Sequence, residues 1–154
     1  MSGKKKREAG GAIDFASAFK AGIAAYGDCN RVRVEVGEVL AELSREVHKA
    51  SDGAIVVSVR SSSGKLNDAT IEAVRPDALG TYFVLVAYAS HNFDVYEVIA
   101  NISIDEKGYP VSITYASETI MCFDREETIG TLNGLLSHPT TGRFFSRVCR
   151  GGKQ

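Results

Sequence analysis

The sequence predicts an α+β domain: an antiparallel meander sheet of about five strands, with two N-terminal and two C-terminal helices. Three observations carry this. Apolar residues recur at helical spacing in residues 14–47 and again in 124–149. Between these blocks the period falls to two and β-branched residues dominate. The segments joining the strand candidates are too short for the crossover that a parallel pair needs, so neighbours are expected to be antiparallel.

Residues 1–11 are charged or glycine-rich and offer nothing to bury, so they are expected to form a disordered basic arm. One domain is expected over 12–150, with 151–154 as a disordered tail. Asp14 stands where an N-cap would, and Phe15, Ala18, Phe19, Gly22, Ile23 and Tyr26 follow at helical spacing. Gly27 supplies a stop. This short helix is expected to pack its aromatic stripe on the core. Asn30 is placed to cap a second helix, in which Val32, Val36, Val39, Leu40, Leu43 and Val47 share a face. Glu35, Glu38, Glu42, Arg45 and Glu46 lie opposite, and Ser51-Asp52-Gly53 ends the helix. Residues 31–36 also alternate with period two, which leaves a strand start open. The 3.6-residue pattern running on to Val47 favours helix.

Ile55 to Val59 reads as a buried strand, Ser61-Ser62-Ser63-Gly64-Lys65 as a loop, and Ala69 to Val74 as an alternating strand. Pro76-Asp77 and Gly80 turn the chain. Tyr82 to Tyr88 is the most apolar candidate and is expected near the centre of the sheet. Ser90 to Asp94 reads as a loop and Val95 to Ile104 as a long strand. Asp105-Glu106-Lys107-Gly108 reads as a hairpin turn with Gly108 free to take positive φ. Pro110 should open the next strand, where its missing N–H does least harm. That strand runs on to Tyr115, and a last short one is expected from Thr119 to Phe123. Asp124 with Glu127 has the spacing of a capping box, ahead of a helix carrying Ile129, Leu132, Leu135 and Leu136. Ser137-His138-Pro139 breaks it. Thr140 or Thr141 is then placed to cap a last helix with Phe144, Phe145, Val148 and Cys149.

The chain has 154 residues, enough for one ordinary core, and its 44% apolar and 24% charged content is that of a globular domain. No apolar run approaches the roughly 20 residues of a membrane helix. The basic start is followed by Ala12-Ile13 and then Asp14, which is not the pattern of a secretory signal. Cys29, Cys122 and Cys149 are few, odd in number and far apart, and no C-x-x-C pair exists. Free thiols in a cytoplasmic protein are the expectation, not a disulfide framework or a zinc site. Net charge is −1, but residues 1–7 carry four basic groups and residues 143–154 four more. The ten remaining of the 18 basic groups face all 19 acids within residues 8–142, an excess of nine acids between two basic ends.

The motifs that carry chemistry are incomplete. Ser61 to Lys65 contains Gly-Lys, but a phosphate loop needs a glycine where Val59 stands and a hydroxyl where Leu66 stands. His91, Asn92 and Asp94 share a loop, and a histidine with a carboxylate three residues on can bind metal or exchange protons. No third ligand stands near, and His48 and His138 lie on other elements. Phe93, an aromatic among polar residues, is the residue of that loop best suited to anchor a partner. No histidine is close in sequence to a cysteine, and no G-x-S-x-G elbow is present. Arg143 and Arg147 lie four apart on the last helix, with Arg150 beyond them. Together with Lys4, Lys5, Lys6 and Arg7 they form the candidate anion or nucleic-acid contact.

These readings point to a non-enzymatic protein–protein interaction domain in the form of an acidic inhibitor or adaptor, for example one that neutralises a basic toxin or nuclease. An acidic surface gains mainly in association rate and selectivity. The partner is expected to be a basic protein met through His91, Asn92, Phe93 and Asp94. No cofactor, metal or membrane is expected. Two alternatives are a nucleic-acid-binding accessory protein using the basic arm and last helix, and a small hydrolase-type enzyme with a site near His91.

Overall fold

The computed structural model describes residues 14–61 and 82–151. Helix α1 spans Phe15–Ala50 and leads into strands β1 (Ile55–Ser61), β2 (Tyr82–Ala89), β3 (Asn92–Asp105), β4 (Gly108–Tyr115) and β5 (Glu118–Cys122). Helices α2 (Arg125–Ser137) and α3 (Pro139–Gly151) follow. The class is α+β as expected. The basic arm, the strand expected over Ala69 to Val74, and the loop and turn residues from Ser62 to Lys65 and at Pro76 to Gly80 lie outside the described residues, as do the last three residues of the tail.

The two expected N-terminal helices are one helix of 36 residues. Gly27 does not stop it. A glycine inside a helix costs about 1 kcal/mol relative to alanine, less than abandoning a turn of backbone hydrogen bonds. The turn after Gly27 is anchored, since Cys29 and Val32 are buried and Asp28 pairs with Arg31 at 3.8 Å. Asn30 therefore lies inside the helix and caps nothing. The helix ends where the sequence placed its stop, with Asp52 (φ 53) and Gly53 (φ 82) in left-handed conformation and the Gly53 N–H donating to the His48 carbonyl at 2.7 Å.

The five strands pair in chain order, each antiparallel to the next. Register sets Ile55, Val57 and Val59 against Ala89, Ala87 and Leu85, and Phe83 against Ile102. Ile102 and Ile104 meet Ile113 and Val111, which meet Ile120 and Cys122. Alternate residues share a face, so these side chains form one apolar floor. Val32, Val36, Val39, Leu40 and Leu43 of α1 pack on that floor with Leu132, Leu135, Phe144 and Val148 from α2 and α3. A register shift between Leu85 and Val86 gives β3 an extra residue, Ile99, which is buried in the same cluster. On the other face Ser58, Arg60, Val86 and Tyr88 are buried. Towards β5 that face turns polar, with Thr114 and Thr119 hydroxyls 2.8 Å apart.

Three local expectations change. Ala89 pairs directly with Asn92, so the expected loop of 90–94 shrinks to the turn Ser90-His91, and Asn92, Phe93 and Asp94 open β3. Aromatic packing decides it: Tyr88 meets Phe93 edge-on at 6.1 Å and Tyr96 at 5.7 Å, which ties the start of β3 to β2. Pro110 is the third residue of β4, not the first. The β3–β4 register shifts beside it, so its missing N–H falls in a gap of the ladder. The cap of α3 is His138, whose Nδ1 accepts the Thr140 N–H at 3.2 Å, and Pro139 takes the first helical position where its lost N–H is harmless.

Other signals hold. Asp124 accepts the Glu127 N–H at 2.8 Å, and Glu127 in turn accepts the Phe123 N–H at 2.7 Å. Gly108 takes φ +108, and a Cβ there would lie 2.9 Å from Val32 Cγ2. Glycine is thus required twice at this turn, by backbone and by the close pass of α1. Among the described residues no helix is long and apolar enough to cross a membrane.

Candidate functional site

Among the described residues only the C-terminal part of α1 rests on the sheet. Every residue from Asp14 to Asp28 is exposed, and the first buried one is Cys29. At 1.5 Å per residue the unsupported stretch projects about 20 Å. Its sequence is unusual for a solvated helix: apart from the Tyr26 hydroxyl, Ser17 and Lys20 carry the only polar side-chain groups between Asp14 and Asp28. Alanines at 16, 18, 21, 24 and 25 favour helix, while Gly22 and Gly27 oppose it. Asp14 makes no side-chain cap bond, and no acid occupies the first turn.

Four large apolar side chains stand on this stretch: Phe15 is 77% exposed, Phe19 70%, Ile23 59% and Tyr26 67%. At 100° per residue they fall within an arc of about 80°, a single stripe. The stripe lies roughly a quarter turn round the helix from the row that meets the sheet, so it is not a continuation of the core face. The expectation that it packs on the core is therefore corrected. Its helical spacing was legible, but spacing does not say which partner is present, and among the described residues no strand lies beneath this part of the helix.

Further along α1 the outward side carries Glu35, Glu38, Glu42 and Glu46. Glu35 accepts from the Tyr109 hydroxyl at 2.7 Å. Glu42 is bonded to Arg45, and that guanidinium holds the exposed Glu42 carboxyl below its ordinary value. Among the described residues two ion pairs form, Asp28–Arg31 and Glu42–Arg45. Beside this row, Glu42 and Glu46 rim a cavity of about 200 Å³ between α1 and α2, floored by Val39, Leu43, Ile129 and Leu132, with Arg125 at its edge.

The residues nominated from sequence are scattered. His91 lies in the exposed β2–β3 turn, and the Asn92 side chain accepts the Asp94 N–H at 3.0 Å, a local turn bond. Phe93 is 47% exposed, with one edge on Tyr88. Arg143, Arg147 and Arg150 are exposed along one side of α3, and the Arg147 guanidinium sits 5.4 Å from the Phe144 ring centre. Lys4 to Arg7 lie outside the described residues. His48 Nδ1 faces the Ile55 carbonyl at 3.1 Å and serves as its donor. No hydrogen bond joins His91 to either of the other histidines.

The place where acidic and imidazole groups do converge is a second cavity of about 200 Å³, lined by Glu97, Tyr115, His138, Thr140 and Thr141. There His138 is engaged through Nδ1 in capping α3 and packs edge-on against Tyr115 at 5.8 Å. Its position follows from helix capping and does not require a reaction. Among the described residues no group of three or more His, Cys, Asp or Glu side chains is placed to hold a metal ion. Cys29 and Cys122 are buried and Cys149 half-buried, all as free thiols. The chain matches no protein-family model, no curated protein and no solved structure.

Proposed function

We propose that this protein is a non-enzymatic protein-binding domain of the adaptor or inhibitor kind, and that it docks through the projecting half of α1. The observation that carries this reading is the stripe of Phe15, Phe19, Ile23 and Tyr26, each more than half exposed on one helix face. Contiguous apolar surface of this kind marks an interaction site, and aromatic anchors contribute most to such interfaces. The mode is a helix whose apolar face is taken up by a partner. The glutamate row that follows on the same helix, on another of its faces, gives α1 a negative field, which favours the approach of a basic partner.

The test is affinity capture with the full chain, comparing wild type with Phe19→Asp and Ile23→Asp, combined with a photo-crosslinking amino acid at position 19. Partners should be held by the wild type, cross-link at position 19 and be lost in both variants. Partners kept equally by all three proteins, with no adduct at position 19, would show that docking occurs elsewhere.

A further inference from the structure

The spacing of the stripe determines what kind of surface can match it. Reading α1 from either direction meets the same pattern: an aromatic, two large side chains near the middle, and an aromatic. A two-fold axis beside Lys20 and Ala21 would set Phe15 of one helix against Tyr26 of another, and Phe19 against Ile23, and repeat both contacts in reverse. That is the self-complementarity an isologous interface requires. We propose that the occupant of this face is a second copy of the chain, held in an antiparallel helix pair. This inference rests on the reading of the stripe as a docking face.

Charge does not oppose this arrangement. At 100° per residue Asp14 and Asp28 fall on the far side of the helix and Lys20 on its flank, about 100° from the centre of the stripe, so no charged side chain stands within the stripe itself. Ala18 and Gly22 lie beside the stripe and leave room for close approach of two helix axes. Full burial of the four side chains removes roughly 500 Å² from each helix. The pair then reaches about 1,000 Å², the lower end of specific interfaces, so association in the micromolar range is expected.

Sedimentation velocity on the full chain, across the micromolar range, tests this. The wild type should shift from monomer to dimer with concentration. Phe19→Asp should remain monomeric with unchanged thermal unfolding of the domain. A Phe15→Cys/Tyr26→Cys double variant, in a Cys149→Ser background, should form a covalent dimer on oxidation, and Phe15→Cys alone should not. A wild type that stays monomeric overturns the inference. A dimer indifferent to Phe19→Asp overturns it as well, because another surface is then responsible. Cross-linking by Phe15→Cys alone would mean a parallel pair and also rule it out. Should the wild type be monomeric, a heterologous adduct at position 19 leaves the docking reading standing, and its absence removes both.

Discussion

Tyr109 shows how one side chain couples α1 to the sheet. Its hydroxyl donates to Glu35 at 2.7 Å, joining helix to β4. Burial raises the phenol above its ordinary value, and the hydrogen bond to Glu35 and the charge of Glu35 raise it further. Thr128 opposes this and Asp124 adds to it. A raised pKa means that the folded state favours the neutral phenol. Its contribution is then fully present below the unfolded value near 10 and is lost as pH rises through and above it. Tyr109→Phe should cost about 1 kcal/mol at neutral pH, and should lose less stability than the wild type as pH is raised beyond 10. Denaturant unfolding of both proteins on the two sides of that pH measures it, and curves that stay parallel would show that the phenol is not coupled to folding. Gly108 is the other residue where element meets element, since Val32 of α1 leaves no space for a side chain.

At the scale of elements, the continuity of α1 is the feature that matters most. It turns an expected pair of packed helices into one helix that outruns its sheet. Nothing lies within 4 Å of a Cβ built at Gly27. Gly27→Ala should therefore raise the far-ultraviolet helical signal without lowering Tm, because alanine favours a helix interior by about 1 kcal/mol. A chain break at Gly27 with positive φ would give the opposite, a lower Tm. Much of the rest was open to sequence reading because it rests on local bonds: the Asp124–Glu127 cap, the stop after Ala50, the turn at Gly108. The start of β3 was not, because Asn92 and Asp94 look like turn residues until Tyr88 and Tyr96 are seen beside Phe93.

At the scale of the whole molecule, stability is unevenly spread along α1. Residues 32–43 share the core with all five strands and both C-terminal helices, while every residue from 15 to 28 is exposed. Amides at 32–43 should exchange with solvent only on global opening. In Phe19→Asp, amides at 15–28 should exchange orders of magnitude faster than these, and in the wild type their protection should grow with concentration. Equal protection along the whole helix in the variant would show that the projecting half holds its shape unaided. The charge asymmetry also becomes spatial here. The glutamate row runs along α1 among basic residues such as Arg31 and Arg45, whereas α3 carries Arg143, Arg147 and Arg150 and no acid.

Patterning of side chains was enough to determine the class of this protein, the antiparallel order of its neighbouring strands and most of its core, because periods of two and 3.6 are properties of the chain itself. The same logic identified the stripe of Phe15, Phe19, Ile23 and Tyr26 and assigned it the wrong surroundings. An amphipathic pattern records that a face is to be covered, and carries no information on whether the cover comes from the same molecule. Only the tertiary structure decided that, by placing the edge of the sheet at Cys29 and leaving the helix before it in solvent.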